Sequence, residues 1–213
     1  MEPNAATIVF LNDVRFSFCH VHEPYAHKPT DKPKYQLAFL LAKDHPGIAL
    51  VRAAMLVAAE GKWGAKYPDV VKALKASDRL AYHDGDIKAA KYADYAGLMY
   101  INSNNATKPA VFGPDPHGPQ LTMADGKPYS GCYGNAKITI WAQDNEWGQR
   151  LNAELNGVQF VRDGERMSGG GVAAADDFQA IPEEVENAFD EGHPAAQVPS
   201  GGMTKQDMVD SLL

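Results

Sequence analysis

The chain has 213 residues, 45% of them hydrophobic, and a formal net charge of −7, enough apolar material for one domain with an appendage or for two small domains. No apolar run approaches the ~18 residues that cross a bilayer, and the N-terminal MEPNAATIVFL carries an acid where an export signal needs positive charge. Cys19 and Cys132 are the two cysteines and neither has a neighbour at zinc spacing, so reduced thiols and a cytoplasmic location are expected rather than a disulfide framework.

Ile8-Val9-Phe10-Leu11 and Val14-Arg15-Phe16-Ser17-Phe18 predict a first strand system interrupted by Asn12-Asp13, with Val14, Phe16 and Phe18 on one face. Residues 20–33 carry Pro24, Pro29 and Pro33 with His20, His22 and His27, which predicts a polar, mobile surface loop. Residues 34–41 form the next expected strand, with Tyr35, Leu37, Phe39 and Leu41 on one face. Asp44-His45-Pro46 marks a helix start, and Ile48, Val51, Met55, Leu56 and Ala59 give residues 47–60 an apolar stripe. Pro68-Asp69 sets up a second short helix over residues 70–77.

His83-Asp84-Gly85-Asp86 predicts a turn, after which Lys88, Lys91, Tyr92 and Tyr95 interleave positive charge with rings ahead of a strand over residues 97–103. Residues 104–128 are rich in Pro, Gly and Asn and are expected to be irregular, with Ala110-Val111-Phe112 as an edge strand. Residues 136–141 predict a strand that sends Ile138 and Ile140 into a core and Lys137, Thr139 and Trp141 outward. A polar turn at Gln143-Asp144-Asn145, a short segment to Asn156-Gly157, a strand over 158–162 and a turn at Asp163-Gly164 follow. Nine acids and the single base Lys205 give residues 176–213 a charge of −8, which leaves residues 1–175, with nineteen Lys and Arg, at +1. Such a block marks an interaction tail. Within it residues 182–190 have the pattern of a transient helix, residues 192–203 have little to bury, and Met208, Val209, Leu212 and Leu213 form an apolar end.

Dispersed strands with helices inserted after the second predict a mainly β chain, a small antiparallel barrel, although pattern alone leaves other β-rich folds open. The runs Tyr129-Ser130-Gly131-Cys132-Tyr133, Asn135-Ala136-Lys137, Gln143-Asp144-Asn145, Gly157-Val158-Gln159-Phe160, Arg162-Asp163-Gly164-Glu165 and Asp176-Asp177-Phe178 resemble a family of tailed-phage single-stranded DNA-binding proteins. Gly97-Leu98-Met99-Tyr100-Ile101-Asn102 fits the same family, and Gly134 departs from members that carry Val there. The resemblance implies an OB-fold-like (oligonucleotide-binding) antiparallel barrel over residues 1–178 and a disordered acidic tail over 179–213, working in the host cell cytoplasm without cofactor or metal. It implies a protein that coats and protects single-stranded DNA in replication or recombination. The tail would compete for the groove and dock replication or recombination proteins through Asp207, Met208, Val209, Asp210, Leu212 and Leu213. A homo-oligomer is compatible with this reading.

Sequence-tolerant binding of single strands needs rings on which bases stack and cations that follow the phosphates. Tyr25 and Tyr35 with Lys28, Lys32 and Lys34, Tyr92 and Tyr95 with Lys88 and Lys91, and Tyr133 and Trp141 with Lys137 supply that combination. Phe16, Phe18, Phe39 and Phe160 are assigned to the core. Enzyme readings compare poorly. The histidines of the Pro-rich loop lack a carboxylate at fixed spacing, His83-Asp84-Gly85-Asp86 lacks the rest of a calcium loop, and Gly169-Gly170-Gly171 is followed by Val172 rather than Lys. Cys132 with His117 has no feature that would activate a thiol. The alternative of another class is a protein–protein interaction module whose barrel binds a polypeptide.

Overall fold

Strand β1 (Ile8–Tyr25) runs unbroken for 18 residues, where the sequence predicts two segments and then a loop. Asn12-Asp13 does not end the strand because the extra length is taken up in a bulge. Leu11 faces Ala136 and Val14 faces Gly134, so three steps on β1 oppose two on its partner, and Asp13 takes a φ of 51°. A second irregularity lies between Ser17, opposite Ala38, and His20, opposite Gln36. There Phe18 adopts a φ of 49°, an uncommon conformation for a bulky residue. It turns the Phe18 ring out of the core, to which alternation assigns it, and leaves it 40% exposed. The true loop is confined to residues 26–33. The structure, a computed structural model, describes residues 4–167. The Gly169-Gly170-Gly171 run, the helix over 182–190 and the tail with Asp207, Met208, Val209, Asp210, Leu212 and Leu213 lie outside the described residues.

Strand β2 (Lys34–Ala42) is paired along both of its sides. Its Leu37, Phe39 and Leu41 enter the main core, while Leu40 on the other face joins a second cluster with Tyr95 and Tyr100. Helix α1 (Pro46–Trp63) begins with proline in its first turn, capped by His45, whose Nδ1 accepts from the Gly47 N–H at 3.0 Å. Ile48, Val51, Ala54, Met55 and Ala59 form its buried stripe, and the helix packs against β1 and the later strand β6 (Tyr133–Asn145). Leu56, which the spacing places on that stripe, lies beside it and is exposed. Helix α2 (Tyr67–Ala76) packs on α1.

The remaining strands are β3 (Tyr82–Asp84), β4 (Leu98–Asn105), β5 (Ala110–Phe112), β6 (Tyr133–Asn145) and β7 (Gly148–Arg162). The β6–β7 hairpin is longer than predicted: Gln143, Asp144 and Asn145 pair with Arg150, Gln149 and Gly148, and the turn is Glu146-Trp147. The polar side chains there find partners at the surface, Asp144 Oδ2 accepting from Trp63 Nε1 at 2.8 Å and from Gln149 Nε2 at 3.0 Å. Thr139 is a further correction. It is buried, with its Oγ1 donating to Asn156 Oδ1 at 2.7 Å, because an extra residue on β7 between the pairs Lys137–Gly157 and Ile138–Leu155 sets Asn156 beside it.

The strands run in the order β3-β4-β2-β1-β6-β7-β5, and a parallel contact of β4 with β7, Ser103 opposite Ala153 and Asn104 opposite Glu154, closes β1, β2, β4, β6 and β7 into a barrel. This is the mainly β, OB-like architecture with inserted helices that the sequence predicts. Phe16 and Phe39 meet edge to face at 5.8 Å in its interior, surrounded by Leu11, Ile101, Ile138, Ile140, Leu151 and Leu155. Among the described residues no helix is long and apolar enough to cross a membrane.

Gly134 is fixed by this packing. A Cβ at 134 would come within 2.3 Å of the Gln159 carbonyl oxygen and 2.5 Å of the Phe16 ring. Gly134→Val therefore forces the central Phe16 aside and should cost about 1–3 kcal/mol of stability by overpacking, read as a lower denaturant midpoint at unchanged slope.

Candidate nucleic-acid interface

Residues opposite one another in a sheet share a face, so the register itself assembles a surface on the outside of β1, β2 and β4. Tyr25 pairs with Lys34, and His20 with Gln36 and Asn104. Ser17 pairs with Ala38 and Asn102, and Arg15 with Leu40, Tyr100 and His83. The last row is covered by the segment that follows β3. Asp86 anchors that segment, its Oδ1 accepting from the Gly97 N–H at 2.6 Å and its Oδ2 from Lys43 Nζ at 2.7 Å; Arg15 reaches across to Asp94 at 3.1 Å and to the carbonyls of Gly131 and Glu165. Tyr95 then lies over the sheet, 1% exposed, with its hydroxyl donating to Ser17 Oγ at 3.1 Å. Burial pushes its pKa up to about 12.

Above this covered row a groove of about 710 Å³ remains open. Its rings are Phe18 and Tyr92, edge to face at 5.2 Å, and Tyr25, stacked on His20 at 4.5 Å and 14°. Gln36, Asn102 and Asn104 provide amides along the floor, while Lys88, Arg150, His27 and His83 line the sides. Lys88 Nζ sits 4.1 Å from the Tyr100 ring centre, a cation–π contact, and partial burial lowers the pKa of its ammonium. His83 stacks on the same Tyr100 at 4.9 Å, and its Nδ1 lies 2.8 Å from Asp78 Oδ1. Burial likewise lowers the pKa of His20.

The sequence-predicted residues divide accordingly. Tyr25, Lys88 and Tyr92 line the groove. Lys34 stands at its edge with Nζ 3.4 Å from Asn104 Oδ1, and Lys28 and Lys32 are exposed on the adjoining 26–33 loop. Lys91 is exposed, with its Nζ 5.2 Å from the Tyr92 ring centre. Tyr95 is a correction: buried under its neighbours, it offers no face to a base and instead packs against Phe18, Tyr92 and Tyr100. Tyr35 lies on the opposite face of β2 from Lys34 and Gln36, half-buried. Tyr133, Lys137 and Trp141 are brought together by β6 but not into the groove. Tyr133 has the Arg162 guanidinium 3.6 Å from its ring centre. Lys137 stands near Phe10 in a separate hollow of about 380 Å³, and Trp141 is exposed opposite Asn152.

Sequence reasoning missed Phe18, His20, His27, His83, Arg150 and the amides Gln36, Asn102, Asn104 and Asn152. The amides carried a signal, since Asn102 and Asn104 fall two apart on a strand whose alternate positions, Ile101 and Ser103, are buried. Phe18 carried none, because nothing local announces its left-handed backbone. Of the residues weighed for catalysis, His22 has Nε2 2.8 Å from the Lys127 carbonyl oxygen, and Cys132 is fully buried with its thiol pKa pushed up by that burial.

Two solved structures share this barrel. The single-stranded DNA-binding protein of bacteriophage Enc34 in complex with single-stranded DNA superposes with a TM-score of 0.64 at 22% identity over 77% of this chain and 91% of that one. The same protein without DNA gives 0.62 at 23% over 81% and 90%. At these identities the likeness establishes the fold. In sequence the chain is 37% identical over 183 residues, 83% of its length, to putative protein p50 of Acyrthosiphon pisum secondary endosymbiont phage 1, of which that alignment covers 96%. The family model described as Enterobacter phage Enc34, ssDNA-binding protein, matches residues 7–189, and the chain belongs to that family.

Proposed function

We propose that this protein binds single-stranded DNA in the groove on β1, β2 and β4, without sequence preference, and coats the strand during phage replication or recombination in the host cytoplasm. The observation that carries the reading is the conjunction of exposed Phe18 and Tyr25 and half-buried Tyr92 with Lys88 and Arg150 around one open groove of about 710 Å³. Bases stack on the rings because each has a π-face, and the cations follow the phosphates. A duplex keeps its base faces stacked on one another, so it can use the cations but not the rings. The Gln36, Asn102 and Asn104 amides can donate or accept and so meet the polar edges of different bases. Membership in the Enc34 family supports this assignment. The acidic segment 179–213 acts in the same reading as a tethered competitor for the groove, and Asp207, Met208, Val209, Asp210, Leu212 and Leu213 as the contact for replication or recombination proteins. The protein carries out no chemistry on its ligand.

Binding to a labelled oligo-dT should exceed binding to duplex at equal salt and weaken as salt rises, with a logarithmic slope of about −0.7 per phosphate contact. Removal of residues 179–213 should tighten binding most at low salt, where screening of the tail is least. Equal affinity for duplex and single strand would overturn the stacking component.

The two tyrosines of the 92–95 segment separate binding from folding. Tyr92→Ala should weaken oligo-dT binding by about 1–3 kcal/mol with little change in melting temperature. Tyr95→Ala should lower the melting temperature first, since it removes a buried ring and leaves Ser17 without its partner.

Affinity should also depend on pH. His20 is held neutral near pH 7 by burial that lowers its pKa. A phosphate entering the groove favours the charged ring, so binding takes up a proton and strengthens as pH falls through the histidine range, about 7 to 5. Titrations of wild type and His20→Gln across that range check the point: the substitution should flatten the profile.

A further inference from the structure

Arg150, which lines the groove, stands on β7 three residues from Trp147 at the tip of the β6–β7 hairpin. Trp147 at its tip is 78% exposed, more than any other large hydrophobic side chain among the described residues. Its position is set rather than loose. The Trp147 N–H donates to Asn145 Oδ1 at 3.0 Å, and Gly148 closes the turn with a φ of 92°. An indole held outward on a defined turn contributes little to the core and much to any flat ligand that reaches it.

Two guanidiniums flank this turn. Arg150 lines the groove, and Arg79 lies against the hairpin, close enough that a Cβ on Gly148 would come within 2.8 Å of its Nη1. The main chain ties them together, with the Leu151 N–H donating to the Arg79 carbonyl at 3.1 Å. Among the described residues neither guanidinium has a carboxylate or aromatic partner. The other arginines are engaged: Arg15 with Asp94, Arg162 with Asp13, Arg52 with Tyr82, and Arg166 over the Tyr129 ring. Of the nearby acids, Asp144 is occupied by Trp63 Nε1 and Gln149 Nε2 and Asp78 by His83, which leaves Glu146 as the one carboxylate at the tip without a hydrogen-bond partner among the described residues.

We propose that a bound single strand leaves the groove past Arg150 and crosses the hairpin tip, where one base stacks on Trp147 and the flanking phosphates pair with Arg79 and Arg150. The inference rests on the single-strand reading and extends it. The hairpin tip is a second contact zone, reached only by strands long enough to run beyond the groove, and it sets the length at which affinity reaches its plateau.

The test is a series of oligo-dT strands of increasing length titrated with full-length wild type, Trp147→Ala, Trp147→Phe and Arg79→Ala. Short strands that fill only the groove should bind all four alike. Long strands should bind Trp147→Ala and Arg79→Ala about tenfold more weakly than wild type, with Trp147→Phe recovering most of the loss because a ring remains. Melting temperatures equal to wild type confirm that these exposed positions leave the fold intact. If Trp147→Ala and wild type show the same plateau length and affinity, the hairpin contact is wrong while the groove stands. Failure of wild type to bind any length would overturn the single-strand reading, and this inference with it.

Discussion

The hydrogen bond from Tyr95 to Ser17, at 3.1 Å in a site closed to solvent, holds the segment after β3 on the outside of the barrel. Without that anchor the outer face of β1, β2 and β4 would be an open sheet with Leu40 and Tyr100 exposed. With it, half of the face becomes a second small core and the other half becomes a groove with walls. Tyr95 also sets the positions of the rings around it, with Phe18 at 6.4 Å, Tyr92 at 5.8 Å and Tyr100 at 5.4 Å. A side chain closed to solvent thus governs the spacing of the rings that line the groove. The aromatic cluster is rigid because its centre is buried and bonded, so little rotamer entropy remains for a ligand to freeze out.

The closed barrel was legible because period-two burial survives along most of its strands. Val14, Phe16, Leu37, Phe39, Leu41, Ile138 and Ile140 stand inside as their alternation implies. Alternation failed where the backbone inserted a residue, since a one-residue slip sends every later side chain to the opposite face. The Ser17–His20 irregularity moved Phe18 from core to groove and put His20 beside Gln36. Bulges leave no compositional mark when their residues are Phe and Cys rather than Gly. Tyr95 failed for another reason. Interleaved Lys and Tyr look alike on a surface helix and on a segment folded back on a sheet, and the distinction rests on Ser17, 78 positions away. The hairpin tip failed because Gln143-Asp144-Asn145 has turn composition, which hid both the longer ladder and the isolation of Trp147.

Charge is arranged by subtraction. The described body carries nearly balanced charge, and four of its nineteen Lys and Arg are taken by carboxylates: Lys43 by Asp84 and Asp86, Lys127 by Asp163, Arg15 by Asp94 and Arg162 by Asp13. Exposed pairs of this kind contribute little to stability, but each removes a positive charge from competition for phosphate. Lys88 and Arg150 remain along the groove without a carboxylate partner among the described residues. The local field there is consequently more positive than the formal charge of the body suggests, and the clustering of these cations beside exposed rings gives it direction.

The same geometry weighs between a nucleic acid and a polypeptide as the groove's occupant. Extended peptides gain affinity on sheets chiefly by adding a strand to a free edge. The β2 and β4 parts of the groove floor offer no such edge, because β2 is paired on both sides and β4 is paired with β2, β3 and β7. A peptide lying across it would have to satisfy its own backbone N–H and C=O groups with water or with the few floor amides, at a cost for each group left unpaired. A single strand has no comparable requirement. Its backbone is charged and would remain hydrated on the outside, with its bases free to turn towards rings and amides that can both donate and accept. The closure, which pairs both sides of β2 and β4, therefore leaves on their outer face a surface better suited to stacked bases than to peptide pairing.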